Sequence, residues 1–134
     1  MKPFHEIKDA FIDSFNALSE VAHRNARDKG FWDTSDKLEA LAQGNGLGRE
    51  MRLMRNSQLR DLMVSELGEA CEGDRKDLPS EKIPGFTNAE EEYADLEIRL
   101  LDMARGRGLR IGEAVIAKMI YNDSRPRLHG GKAF

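Results

Sequence analysis

Glu66 and Glu69 stand three residues apart, and so do Glu92 and Asp95. On a helix that spacing puts both carboxylates on one face. If the two helices pack antiparallel, four carboxylates can converge. Magnesium prefers a few carboxylates together with water and phosphate oxygens. One use for such a group is therefore to hold a divalent cation against a polyanionic ligand. The other is mutual ion pairing with basic side chains, above all those near the C-terminus. A carboxylate on an apolar stripe is costly unless something compensates it, and both readings supply a compensation.

A helix turns by about 100° per residue. On that wheel Leu59, Leu62, Met63 and Ala70 form a stripe, with Glu66 inside it and Glu69 on its edge. Tyr93, Leu96, Leu100 and Met103 mark a second stripe, which Glu92 borders and Asp95 overshoots by one step. Glu90 and Glu91 read as solvated. Lys118, Asn122 and Arg125 fall in line with Ile111, Ala114 and Val115, and Tyr121 lies beside them. A lysine, asparagine and arginine row on an inward face suits phosphate oxygens, which arginine can grip in a fork.

Helices must position these groups. Phe4, Ile7, Phe11, Phe15, Leu18 and Ala22 recur at helical spacing and predict a helix over 4–28. Phe31 to Thr34 read as an aromatic turn, and 35–43 as a short helix. The glycines of 44–48 predict a loop. A long helix follows over 49–76. Two prolines and a glycine make 77–88 a loop, with Thr87 or Asn88 as the next N-cap. The next helix runs over 89–104, ended by Gly106 and Gly108, and the last over 111–122. No alternating run supports a strand. The expected class is all-α, in one domain over 1–134, with 1–48 as first helix and variable loop, 49–125 as catalytic helices and 126–134 as a basic tail.

The net charge of −3 argues against a general nucleic-acid binder. Its distribution is uneven: residues 66–95 hold ten acidic and three basic side chains, whereas 105–134 hold seven basic and two acidic. A cation-bridged polyanion needs both regions. Cys71 is the only cysteine, which fits a reducing compartment, and no apolar run reaches membrane-spanning length. The expected location is cytoplasmic, with no membrane partner. His5, His23 and His129 are scattered and take no catalytic role; His129 is the one nearest a substrate by its place in the tail. The glycine cluster lacks the lysine of a phosphate-binding loop.

Ser65-Glu66-Leu67-Gly68-Glu69-Ala70, followed by Glu91-Glu92-Tyr93-Ala94-Asp95-Leu96, resembles the E-x-x-E…E-x-x-D signature of the MazG-like nucleotide pyrophosphohydrolases. Lys118 to Arg125 resembles that family's third element. Lys29-Gly30-Phe31-Trp32-Asp33 and the ending from Arg127 to Phe134 are similar to its short members. The resemblance implies a helical bundle completed by dimerisation, as a homodimer or homotetramer. It implies hydrolysis of a nucleoside triphosphate to the monophosphate and pyrophosphate, with Mg²⁺, or Mn²⁺ in its place. Glu66, Glu69, Glu92 and Asp95 would be the metal ligands, with Glu69 as general base. Lys118, Asn122 and Arg125 would hold the phosphates, and Lys29, Trp32 and Tyr121 would border the base or sugar. Trp32 reads equally well as a core or interface aromatic. The alternatives are the same fold acting on dUTP, dCTP or phosphoribosyl-ATP, and a non-catalytic helical oligomer that binds a nucleotide or a protein.

Overall fold

The computed structural model describes residues 4–126. The described chain is helical throughout: α1 (Phe4–Asp28), α2 (Asp33–Gly44), α3 (Gly48–Lys76), α4 (Asn88–Arg107) and α5 (Ile111–Asp123). An isolated antiparallel bridge between Pro79 and Thr87 is the one β-type pairing among the described residues. No helix in that range is long and apolar enough to cross a membrane. The basic tail beyond Pro126, with His129, lies outside the described residues.

The helix ends follow local chemistry. α1 stops at a turn where Gly30 takes φ +79°. α2 starts at Asp33, earlier than the aromatic turn suggests, because Asp33 and Asp36 place acid in its first turn. The glycine loop shrinks to residues 45–47, and Gly48 already belongs to α3. Thr87 caps α4 with a reciprocal box: its side chain accepts from the Glu90 N–H, and the Glu90 carboxylate accepts from the Thr87 N–H at 2.7 Å. Glu90 is thus a capping residue. Gly106 does not end α4; Gly108 does, at φ +65°. Gly106 is needed for closeness instead, since a β-carbon there would stand 2.4 Å from the Trp32 ring.

α4 is the central helix, with α3 packed on one side and α1 on the other; α2 covers α3, and α5 covers α1. Two small cores result. One joins Ala26, Trp32, Leu59 and Met103, and the other Phe15, Leu101 and Ala104. Because α4 is buried on two sides, its wheel is not the simple stripe expected: Leu101 and Ala104 are buried, whereas Tyr93 is exposed. Much of the apolar stripe of α1 stays uncovered, with Ile7, Phe11 and Leu18 all exposed. α5 turns Gly112 and Ile116 toward α1, with Gly112 lying against Phe15.

Candidate metal centre

The packing of α3 on α4 brings three carboxylates together. Single oxygens of Glu66, Glu69 and Glu92 lie within 4.8 Å of one another. Glu66 and Glu92 are buried at 5% and 4% exposure, while Glu69 opens to solvent. The wheel anticipated this order, with Glu66 inside the stripe and Glu69 at its edge. Asp95, one step round α4, is half-exposed and stands outside this trio.

Close helix contact makes the trio possible. Gly73 of α3 lies directly under Asn88 of α4; a β-carbon there would stand 2.2 Å from Asn88 Oδ1. Asn88 Nδ2 in turn donates to Glu92 Oε1 at 3.1 Å. Burial raises the Glu92 pKa above the usual carboxylate range. The Glu69 charge raises it further, and the Asn88 hydrogen bond offsets this in part. The trio therefore concentrates negative charge in a partly dry pocket.

Two cations offset that charge, and neither is one the sequence singled out. Arg99 Nε donates to Glu66 Oε1 at 2.5 Å. Lys82, on the loop between α3 and α4, holds Glu91 Oε1 at 2.6 Å. Glu91 is a correction to the sequence reading: it is buried at 5% exposure, not solvated. The Ser80 hydroxyl donates to it as well. Lys82 and Ser80 hold the Glu91 carboxyl below its ordinary range. Arg99 was findable, because it sits seven residues from Glu92 and so on the same face of α4. Lys82 lies in a loop without periodicity and left no such signal.

The carboxylates fit a hard divalent cation by donor type. They supply three oxygens from two rigid helices, and the Arg99 pair engages only one of them. The site is acidic beyond what its neighbouring side chains neutralise.

The other expected residues are placed elsewhere. Lys118 and Asn122 are exposed and Arg125 half-buried, near the end of α5. They do not lie on an inward face, because the side of α5 that packs on α1 is the one carrying Gly112 and Ile116, about 130° round the helix. Lys118 and Arg125 flank the Tyr121 ring, at 4.5 and 5.9 Å from its centroid. Among the described residues no ion pair joins this row to the acids. Lys29 is exposed.

Trp32 is a core residue at 2% exposure, which removes it from any base-binding surface of this chain. Its indole N–H donates to both Asp102 oxygens at 3.0 and 3.1 Å, and His23 Nδ1 meets Asp102 Oδ1 at 2.7 Å. The guanidinium groups of Arg27, Arg55 and Arg107 surround the ring within 5.9 Å. Arg107 is itself fixed by a bidentate pair with Glu39, at 2.5 and 3.0 Å.

Comparisons with protein-family models, with curated proteins and with solved structures find no match to this chain.

Proposed function

We propose that the chain is a metal-dependent nucleoside triphosphate pyrophosphohydrolase, cleaving a (d)NTP to the monophosphate and pyrophosphate. The convergence of Glu66, Glu69 and Glu92 within 4.8 Å carries this reading, in the order of the acidic signature that the sequence resembles. Structural ion pairing would leave the acids matched one to one, whereas the trio has a single arginine.

Glu66, Glu69 and Glu92 hold Mg²⁺ on this reading, and Asp95 is the fourth ligand that the resemblance implies. When bound there, the ion would neutralise phosphate charge and make a water more acidic. Glu69 is the exposed member of the trio, so it is the carboxylate able to take a proton from an attacking water. Lys118, Asn122 and Arg125 bind phosphate oxygens, and a guanidinium and an ammonium stabilise the charge of the departing pyrophosphate. α5 packs on α1 within the chain; on this reading the row meets the acids of a second copy in the homo-oligomer. The uncovered Ile7, Phe11 and Leu18 of α1 support such a homo-oligomer.

The Glu66–Arg99 pair favours one rival: a non-catalytic helical seam fixed by buried ion pairs. Pyrophosphate release across a panel of canonical and modified (d)NTPs separates the two. The enzyme reading expects Mg²⁺-dependent release from at least one of them, lost in Glu66→Gln and Asp95→Asn with helix content unchanged. The seam expects no turnover, and altered assembly in the Glu66 variant.

A further inference from the structure

A cavity of about 390 Å³ opens between α2 and α3, away from the acids. Leu38, Met51 and Met54 give it broad apolar walls, and Phe31, 68% exposed, stands at its rim. Arg55 and Gln58 give it polar edges: Arg55 Nη1 donates to Gln58 Oε1 at 2.5 Å, which leaves the Gln58 amide N–H₂ free to donate, and Arg55 Nε–H is buried without a partner among the described residues. Flat apolar walls with one polar edge suit a planar heteroaromatic ring, and the volume falls in the range of small-molecule sites. Methionine suits such a wall, because its polarisable thioether adapts to a ring face.

The cavity is in register with the acidic trio. Counting about 100° per residue, Met51, Gln58, Leu62 and Glu69 lie within about 40° of one another on one flank of α3. Gln58 and Glu66 are separated along the axis by about 12 Å, at about 1.5 Å per residue. A sugar and an extended triphosphate chain cover such a span. Leu62, at the edge of exposure, is the surface between them. We infer that this cavity receives the base of the nucleoside triphosphate, while the phosphates run along the α3 flank to Glu66, Glu69 and Glu92. The inference rests on the pyrophosphohydrolase reading and adds the base subsite, which the sequence had sought at Trp32.

The test is steady-state hydrolysis of the best (d)NTP by wild type, Leu38→Trp and Gln58→Ala, with inorganic tripolyphosphate as a competitor that has no base. Both positions are exposed, so circular dichroism should show unchanged helix content. Leu38→Trp fills the cavity and Gln58→Ala removes its amide. Each should raise KM by about tenfold with kcat little changed, the mark of lost ground-state binding. Inhibition by tripolyphosphate should be the same in all three proteins. Unchanged KM in both variants overturns the base subsite and leaves the enzyme reading intact. A KM rise matched by an equal loss of tripolyphosphate inhibition also overturns it, since the effect would then not concern the base. Absence of turnover and of nucleotide binding in wild type overturns the enzyme reading, and the subsite with it.

Discussion

Arg99 donates its Nε–H to Glu66 over 2.5 Å, joining a guanidinium 42% exposed to a carboxylate 6% exposed. The pair is lopsided: Arg99 can leave for water, whereas Glu66 cannot. Arg99→Ala therefore strands a buried charge, and unfolding free energy should fall by about 1–3 kcal/mol. On the proposed metal reading, Mg²⁺ would bind the folded site and should stabilise the variant more than wild type, because Arg99 no longer competes for Glu66. Thermal melts with and without Mg²⁺ check this. Equal Mg²⁺ response in both proteins, or none in either, would contradict it.

Gly73 should tolerate no side chain without cost to the site. Gly73→Ala pushes Asn88 away, since its β-carbon would come within 2.2 Å of Asn88 Oδ1, and Asn88 is the donor to Glu92. Asn88→Ala removes the same hydrogen bond without the clash. Both should weaken Mg²⁺ affinity, by about tenfold as for other residues that orient ligands. Calorimetric titration with Mg²⁺ measures it, and wild-type affinity in both variants would reject a positioning role for Asn88.

The acidic pair was legible in the sequence because burial leaves a periodic trace. Glu66 interrupts an apolar stripe, and that anomaly alone pointed to a compensating partner. The reciprocal cap at Thr87 was legible for a similar reason, since its chemistry is local. Two features were not. α4 is buried on two opposite sides, so its wheel has no single stripe, and Tyr93 and Leu101 take positions that one-sided packing would reverse. Trp32 follows a glycine turn, where no period says which way a side chain points; long-range partners, the acceptor Asp102 and the core residues Leu59 and Met103, hold it inward. The Lys118 row lies off the packing side because, of Ile111, Ala114 and Val115, only Ile111 packs on the core cluster, while the buried positions of α5 are Gly112 and Ile116.

Gly106 should be equally restrictive for the fold. In Gly106→Ala the new β-carbon would meet the Trp32 ring, which three guanidinium groups and Asp102 hold in place. Overpacking of this kind costs about 1–3 kcal/mol. Denaturant titration should show the loss, together with a shifted emission of the single tryptophan. A neutral effect would mean that the α1–α4 contact is looser than the structure has it.

Glu39 contributes to the pH dependence of stability. The hydrogen bonds from Arg107 hold its carboxyl below the usual range. A folded-state pKa below the unfolded one gives stability that is present above the unfolded carboxylate pKa and is lost as pH falls through the folded one. Glu39→Gln should therefore destabilise the protein at neutral pH, where it strips the buried Arg107 of its counter-charge. The gap between variant and wild type should close as the solution is acidified below the glutamate range. Urea melts at several pH values measure the gap, and one that persists unchanged at low pH would contradict the ionic account.

Glu66, Glu69 and Glu92 lie close enough together to hold a divalent cation, the proposal on which the function rests. The most direct measurement is a Mn²⁺ titration of the purified protein followed by electron paramagnetic resonance, in wild type, Glu69→Gln and Glu92→Gln. Wild type should take up Mn²⁺ in competition with Mg²⁺, and each variant should lose that uptake while keeping its helix content. Undiminished Mn²⁺ binding in both variants, or none in wild type, would contradict the account.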